Sequence, residues 1–252
     1  MKYVTTMMAM VVFMVGAAHA QVITNNLVGY WQFDGDLTDT TGNNHMGVGG
    51  GTLDYVAGQI GNALNLDSAE YAITAANIIN TVYGANARTM NVWFNDDVGG
   101  TEAFVSYGRG GQADLFEMIL YSPGTTWGGH FWGGGVYETA LSGVVPAIVV
   151  GQWHMATLVY DGVNISVYSD GALVGGYGLA LNTCGLGGTQ LYAGSSSSTA
   201  NADYDGQLDD LALWDRVLTG PEIQSIYDAG VAGNDIYSLL SSGAPGTLIY
   251  GK

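Results

Sequence analysis

The sequence is poor in basic residues, cysteine and proline, and each shortage excludes something. Its 5 Lys and Arg residues stand against 22 Asp and Glu residues, so the formal charge of −17 repels nucleic acid and anionic membrane surfaces. The single cysteine, Cys184, excludes an intrachain disulfide. Proline occurs 4 times in 252 residues, whereas glycine occurs 40 times and tyrosine 16 times. This composition favours short strands joined by glycine turns, so we predict an all-β protein.

The first 20 residues have the pattern of a secretory signal peptide. Lys2 is followed by an apolar run through Val15, and Ala18-His19-Ala20 forms an A-x-A cleavage site. The apolar run is shorter than the roughly 20 residues that cross a bilayer, and no basic stop-transfer flank follows it. We therefore expect cleavage after Ala20, no membrane insertion of the mature chain, and a location outside the cell or at its surface.

Short apolar or alternating runs separated by turn residues predict strands along most of the remaining chain. Residues 153–177 contain WHMATLVY, VNISVYS and ALVGGY joined at two Asp-Gly turns, which predicts a β-meander. No linker or change of composition interrupts the run of strands. We predict one domain of two packed antiparallel sheets at residues 21–233, followed by a C-terminal tail at residues 234–252.

One short helix is predicted near the C-terminal end of the domain, in TGPEIQSIYDAG. Thr219 and Glu222 have the spacing of a capping box, and Pro221 lies in the first turn. Gly230 is the predicted end of the helix.

Several segments occur in an order that resembles a known family. GYWQFDGDLTDTTGNNH comes first, then YVAGQIGNALNLD, RTMNVWF, GQWHMATLVYDGVNISVYSDGALV and GQLDDLALWDRVLTGPEIQSIYDAG. Over residues 27–230 the chain is similar to the LamG-like jellyroll family of the concanavalin A-like lectin/glucanase superfamily. The resemblance implies a jelly-roll sandwich of two antiparallel sheets that commonly holds one structural calcium ion and binds glycans or proteins. It implies no single activity, because one fold hosts many functions.

The acidic stretch FDGDLTDTTGNNH, residues 33–45, is the candidate metal site. It is not an EF-hand loop, because the sixth and twelfth positions counted from Asp34 hold Asp39 and His45 in place of Gly and Glu. The family resemblance implies that this loop faces the last strand, so that a structural calcium would be held by Asp34, Asp39, Asn43 and Asp209. The alternative is that Asp36 and Asp39 are solvated turn residues, that Gly42 and Asn43 make the turn, and that no ion is bound.

No sequence pattern predicts catalysis. Retaining glycosidases of the superfamily carry E-x-D-x-x-E on one strand, and the chain has no such run. Asp114 and Glu117 are separated by an odd spacing that places them on opposite faces of a strand. The chain also lacks G-x-S-x-G, and its four serines at 195–198 are typical of a loop. We therefore predict that the protein is not an enzyme.

The candidate recognition segment is TTWGGHFWGGGVYETA, residues 125–140. In a strand, Trp127 and Phe131 share one face, and His130 and Trp132 share the other. One interpretation is an exposed platform of Trp127, His130, Trp132 and Tyr137 on which a sugar ring stacks. The other is that both tryptophans fill the core and the glycines permit sheet curvature.

These observations leave two classes of function. The first is a secreted, non-catalytic carbohydrate-binding or adhesive module stabilised by calcium, with an extracellular glycan as its partner. The second is a structural or protein-interaction module at the cell surface that binds no glycan. A concave aromatic cluster beside hydrogen-bonding side chains favours the first, and a flat apolar patch favours the second.

Overall fold

The computed structural model describes residues 23–75, 81–109, 114–121, 126–133, 136–140, 147–184, 190–198 and 204–241. The predicted signal peptide and residues 242–252 of the predicted tail lie outside the described residues. Within the described ranges, no helix is long and apolar enough to cross a bilayer.

An eight-stranded antiparallel sheet forms one layer of the fold. Its strands are β1 (Leu27–Trp31), β3 (Asp54–Ala57), β4 (Asn62–Leu66), β6 (Arg88–Asp96), β11 (Trp153–Tyr160), β12 (Asn164–Ser169), β13 (Ala172–Gly178) and β15 (Gly206–Trp214). Their order is β13-β12-β11-β6-β15-β4-β3, and β1 also pairs with β15. The predicted meander is confirmed, because β11, β12 and β13 are antiparallel neighbours.

A seven-stranded antiparallel sheet forms the second layer. Its strands are β2 (Met46–Gly50), β5 (Tyr71–Thr74), β7 (Ala103–Tyr107), β8 (Phe116–Tyr121), β9 (Thr126–Gly133), β10 (Val136–Ala140) and β14 (Leu191–Ala193). Their order is β10-β9-β8-β7-β14-β5-β2. The prediction of an all-β sandwich of two antiparallel sheets is confirmed.

The main hydrophobic core lies between the two sheets and draws side chains from both. Successive side chains of strand β6 point to opposite faces of the sheet. Met90, Val92 and Phe94 point inward and belong to the main core. Trp93 points to the opposite face of the sheet and joins a second apolar cluster. Cys184 is a buried free thiol of the main core.

Two helices follow the last strand, α1 (Gly220–Val231) and the short α2 (Ser238–Ser241). The capping box predicted for α1 is present, since Thr219 and Glu222 each bind the other's backbone N–H. The helix ends at Val231, one residue beyond the predicted end at Gly230, and its C-cap is Ala232. Gly230 lies inside the helix, where its lack of a side chain lets the helix pack closely on Trp93. A Cβ at this position would lie 2.5 Å from the Trp93 ring.

The outer face of the eight-stranded sheet is covered by α1 and by the start of the predicted tail. The second apolar cluster joins Trp93 and Trp214 of the sheet to Ile223 of the helix and Ile236 beyond it. Tyr237 also packs edge-on against Tyr30, with ring centroids 5.5 Å apart. The packed part of the chain therefore includes the first residues assigned to the tail.

Candidate functional site

The carboxylate of Asp39 is occupied by hydrogen bonds from the loop after β1. Its Oδ1 accepts from the backbone N–H groups of Tyr30 and Thr41, both at 2.9 Å. Its Oδ2 accepts from the Thr41 hydroxyl at 2.7 Å and from the N–H groups of Asn44 at 2.9 Å and Asn43 at 3.3 Å. These hydrogen bonds show that Asp39 shapes this loop, with the backbone N–H of Asn43 among its donors. The metal-binding role of Asp39 and Asn43 stays a prediction.

Asp34 and Asp209 approach the turn between β3 and β4 from two distant parts of the chain. Asp34 Oδ1 accepts a hydrogen bond from the N–H of Asn62 at 2.6 Å. Asp209 Oδ2 accepts one from the N–H of Ile60 at 2.8 Å. The loop after β1 and the last strand therefore meet at this turn, as the family resemblance implied for these two residues.

Glycine at two positions of this turn makes room for the carboxylates. A Cβ at Gly61 would lie 2.1 Å from Asp34 Oδ1, and a Cβ at Gly58 would lie 2.5 Å from Asp209 Oδ2. Gly61 also has a positive φ of 61°, which other residues rarely adopt. Any side chain at either position would displace a carboxylate.

Strand β15 is irregular where it carries Asp209 and Asp210. The register shifts between Asp209 and Ala212, and Asp210 has a φ of 49°. Tyr30 donates its hydroxyl proton to Asp210 Oδ1. Within the described part of the chain, Asp209 Oδ1 and Asp210 Oδ2 are buried without a hydrogen-bond partner. Two neighbouring carboxyl groups thus each have an unsatisfied oxygen in the interior.

The environment of Asp209 disfavours its negative charge. Burial raises its pKa to about 8, an effect opposed by the N–H of Ile60 and reinforced by the negative charge of Asp34. Burial also raises the pKa of Asp210, and the charge of Asp235 adds to the effect. A cation bound beside Asp209 would reverse this preference, because an opposite charge favours the ionised carboxylate.

These groups fit a calcium ion only as part of a larger set of oxygens. Calcium takes 6–8 oxygen ligands, usually from carboxylates, main-chain carbonyls and water. Among the described residues, no three His, Cys, Asp or Glu side chains are grouped so that they could hold a metal. The predicted calcium ligands Asp34, Asp39, Asn43 and Asp209 stay a prediction. Of these four, Asp34 and Asp209 are the two that meet at the turn between β3 and β4.

Trp127 lies in the core and not on an outer platform. Its side chain is 0% exposed, and its ring packs edge-on against Phe94 and Phe104 with centroids 6.3 and 6.2 Å away. Its Nε1 donates to the Ser169 hydroxyl at 3.2 Å. Phe131, on the same face of β9, is also fully buried. The predicted binding role of Trp127 is therefore corrected to core packing, because its face of β9 is the inner one.

The other predicted platform residues lie on β9 and β10. His130 alternates with buried Phe131, and its side chain is 18% exposed. In the pairing of β9 with β10, Trp132 lies opposite Tyr137 and His130 lies opposite Thr139. The side chains of residues 132–140 lie outside the described part of the structure. Trp132 and Tyr137 are thus placed by register alone.

A row of residues crosses the outer face of the seven-stranded sheet. Registers pair His130 with Glu117, Glu117 with Ser106, Ser106 with Tyr192, and Tyr192 with Ile73. We call these five residues the outer row. Their sequence neighbours on the same strands point inward and belong to the main core: Phe131, Phe116, Met118, Tyr107, Leu191 and Ala72.

Glu117 links the outer row to the loop after β14. Its Oε1 lies 2.7 Å from His130 Nδ1. Its Oε2 accepts a hydrogen bond from the Ser196 hydroxyl at 2.5 Å. The hydroxyls of Ser196 and Ser198 are in turn 2.9 Å apart. The Glu117 side chain is 2% exposed, so a buried carboxylate holds both an imidazole and a hydroxyl in place.

The serine loop, which we define as residues 195–198, is fastened to the same row by Ser106. The Ser106 hydroxyl donates to the carbonyl of Ser195 at 2.8 Å and accepts from the N–H of Ser197 at 2.6 Å. The loop therefore lies over Ser106 and Glu117, with Ser197 and Ser198 half-buried at its surface. The serine loop thus covers the middle of the outer row, and the Ser106 side chain is buried beneath it.

A stacked pair of tyrosines lies at the other end of the outer row. The rings of Tyr71 and Tyr192 have centroids 5.8 Å apart and planes inclined by 25°. Both side chains are half-buried. A Cβ at Gly49 or Gly50 would lie 2.1 or 2.6 Å from the Tyr71 ring, so glycine in β2 lets this ring lie against the strand. The pair forms a flat aromatic surface beside the hydroxyl-lined serine loop.

Comparison with known families assigns the fold to a superfamily. A family model described as the concanavalin A-like lectin/glucanases superfamily matches residues 67–224. The chain belongs to this superfamily. The match contains Tyr71, Glu117, His130, Tyr192 and Asp209, whereas the acidic loop after β1 precedes it. A comparison with curated proteins finds no match.

Several solved structures share the fold of this chain. Domain 4 of AbnA, a GH43 extracellular arabinanase from Geobacillus stearothermophilus in complex with arabinotriose, is 19% identical with a TM-score of 0.57, covering 79% of this chain and 97% of that one. Trypanosoma rangeli sialidase in complex with 2,3-difluorosialic acid is 17% identical with a TM-score of 0.64, covering 84% and 34%. The binding domain of botulinum neurotoxin DC in complex with rat synaptotagmin II is 11% identical with a TM-score of 0.61, covering 84% and 55%.

At these identities the likeness shows the fold alone. This chain corresponds to nearly all of the arabinanase domain but covers 34% of the sialidase and 55% of the toxin domain. The predicted jelly-roll sandwich of the concanavalin A-like superfamily is confirmed.

Most residues of the outer row were not predicted from the sequence as candidate binding residues. Glu117 is the one acidic residue in the apolar run LFEMILY, and that contrast is a signal of a special role. Its partner His130 was predicted to lie on the outer face. Tyr71 and Tyr192 lie in separate strands that become neighbours only through the pairing of β5 with β14. No local pattern joins these two tyrosines.

Proposed function

We propose that this protein is a secreted, non-catalytic carbohydrate-binding module that binds its glycan on the outer face of the seven-stranded sheet. The observation that carries the proposal is the outer row, which joins a stacked tyrosine pair to a network of Glu117, His130 and serine hydroxyls. Sugar rings stack through their C–H faces on aromatic side chains, and their hydroxyls bind polar groups. The outer row offers both kinds of contact.

Membership of a lectin/glucanase-type superfamily supports this proposal. One structural neighbour, the arabinanase domain, was solved in complex with arabinotriose. The predicted signal peptide places the protein where extracellular glycans occur.

The outer row supports binding better than catalysis. Glycoside hydrolysis uses a pair of carboxyl groups that flank the scissile bond. Glu117 is the only carboxylate in the outer row, and its two oxygens are held by His130 and Ser196. A side chain held on both oxygens is suited to fixing its neighbours and not to attacking a sugar.

A structural calcium bound by Asp34 and Asp209 is the second part of the proposal. It is supported by the unsatisfied Oδ1 of Asp209 and by the approach of Asp34 to the same turn. An ion at this position would join the loop after β1 to the last strand. It lies on the other sheet from the outer row, so its effect on binding would come through stability.

The test is a glycan-array screen of mature residues 21–252 in calcium, with a parallel sample in EDTA. Selective binding that is lost in Tyr192→Ala and kept in Tyr83→Ala would support the proposal. Tyr83 is a matched control because it is a tyrosine 49% exposed and outside the outer row. An array without binding, from protein shown to be folded by circular dichroism, would refute glycan binding and favour the protein-interaction alternative.

A further inference from the structure

We propose that the outer row binds an extended, uncharged polysaccharide chain that lies across the strands of the seven-stranded sheet. This inference rests on the proposed function and adds the direction, the minimum length and the charge class of the ligand. The two contact points are the stacked tyrosines at one end and the imidazole of His130 at the other.

The direction and length follow from strand register. Tyr192, Ser106, Glu117 and His130 occupy directly paired positions on β14, β7, β8 and β9. Neighbouring strands lie about 4.8 Å apart, so three spacings separate Tyr192 from His130 by about 14 Å. This distance exceeds the width of one sugar ring. A ligand that contacts both ends is therefore an oligosaccharide or an internal stretch of a polysaccharide.

His130 is oriented to receive such a ligand. Its Nδ1 is bound to Glu117 Oε1, and a carboxylate acceptor favours the tautomer with the proton on Nδ1. Its Nε2 is then an acceptor, and among the described residues nothing is hydrogen-bonded to it. The side chain remains 18% exposed. A sugar hydroxyl can donate to Nε2 without displacing a hydrogen bond from any described residue.

Glu117 is the positioning residue of this site. It fixes the imidazole through Oε1 and the Ser196 hydroxyl through Oε2, while Ser106 holds the backbone of the serine loop. Between the two ends of the outer row, the buried side chains of Glu117 and Ser106 thus hold the serine loop in place, with the Ser198 hydroxyl 2.9 Å from that of Ser196. Such preorganisation reduces the entropy cost of binding a long, flexible ligand.

The charge class follows from the residues on the outer row and from the whole chain. The row carries one carboxylate and neither Arg nor Lys. Elsewhere in the described structure, Arg88 is buried in the interior, Arg216 pairs with Glu222 at 2.8 Å, and Arg109 is exposed just after β7. With 22 acidic residues against 5 basic ones, the protein repels a polyanion. A neutral glycan meets no such repulsion.

The experiment is isothermal titration of the mature protein with neutral arabino-, xylo- and cello-oligosaccharides of increasing length, and with oligogalacturonates of matched length. For the neutral series that binds, affinity should rise with length until both contacts are spanned and then level off. The oligogalacturonates should bind at least tenfold more weakly at equal length.

Two substitutions test the contacts proposed at the two ends of the binding site. Tyr192→Ala should weaken short and long ligands alike. His130→Gln, whose amide can still donate to Glu117, should weaken long ligands about tenfold and leave short ones unchanged, since one lost hydrogen bond corresponds to about a factor of ten. Tyr83→Ala is the control and should bind like the unchanged protein.

The outcomes separate this inference from the proposed function. Binding that is independent of length, insensitive to His130→Gln, or equally strong for oligogalacturonates would overturn the extended neutral site while leaving glycan binding intact. Absence of binding to every glycan by folded protein would overturn the proposed function and this inference with it.

Discussion

Raising the pH of a calcium-free solution from about 4 to about 8 should destabilise the protein through Asp209. Burial is the main cause that raises the pKa of this carboxyl from 3.8 to about 8. Between these values the folded state keeps a proton on Asp209 that the unfolded state has released. Because the folded state then binds more protons, the free energy of unfolding falls as the pH rises. The stability is fully present below about pH 4 and lost as the pH passes 8.

The size of this effect is worked from the same shift. Each pH unit within the window lowers the free energy of unfolding by up to about 1.4 kcal/mol for one group, so the whole window costs up to about 6 kcal/mol. A domain is stable by only about 5–15 kcal/mol. Calcium bound beside Asp209 would compensate the buried charge, and at one hundred times its Kd it would restore about 2.7 kcal/mol.

The assay is urea unfolding followed by circular dichroism between pH 5 and pH 8, with EDTA and with calcium chloride. Asp209→Asn replaces the carboxyl with a neutral group of the same shape, so it should remove the share of the pH dependence that Asp209 contributes in EDTA. Asp210, whose pKa burial also raises, should keep its own share. Asp36→Asn is the control, because Asp36 is exposed in the acidic loop and binds the backbone of Thr38. It should behave like the unchanged protein.

Two results would refute the reasoning at different steps. If Asp209→Asn kept the pH dependence of the unchanged protein in EDTA, the buried carboxyl would not be its source. If the pH dependence decreased in Asp209→Asn but calcium never stabilised the unchanged protein, the role of the buried Asp209 carboxyl would be supported and the calcium site would be rejected.

Three further substitutions test separate assignments. Trp127→Ala should lower the free energy of unfolding, measured in urea, by about 3–5 kcal/mol, because it opens a cavity between the sheets. A much smaller loss of stability together with weaker glycan binding would show that Trp127 contacts the ligand. Asp39→Asn should cost about 1–3 kcal/mol equally in calcium and EDTA, because its amide would face N–H donors; a loss confined to calcium would make Asp39 a ligand. Thr219→Ala should cost about 1 kcal/mol through the lost cap of α1, and an unchanged Tm would contradict this.

Local features of the fold were predictable because local chemistry determines them. The run WHMATLVY coincides with β11, and the Asp-Gly turns that follow it join β11 to β12 and β13 as expected. The capping box of Thr219 and Glu222 also forms. Alternation and turn chemistry act over a few residues, so they are visible in the sequence without knowledge of the rest of the fold.

The candidate site was less predictable because it depends on which strands become neighbours. The alternation of side chains along a strand places Trp127 and His130 on opposite faces of β9. It does not reveal which of these faces points into the core. That choice follows from packing against Phe94 and Phe104, which are distant in sequence. Likewise, the acidity of the loop after β1 predicted a metal ligand at Asp39, but it did not reveal that backbone N–H groups of β1 and of the loop bind this carboxylate.

The two outer faces of the sandwich have different chemistry. In the proposed function, the face of the eight-stranded sheet contributes to stability and that of the seven-stranded sheet binds the glycan. On the eight-stranded sheet, α1 covers the apolar side chains, and Trp93 stacks on Tyr227 with centroids 5.5 Å apart. Asp209 belongs to that sheet and contacts Ile60 of the apolar cluster on its outer face. The outer row lies on the opposite sheet. Removing calcium should therefore weaken glycan binding only under conditions in which it also unfolds the protein, because no atom of the outer row contacts the candidate ion site.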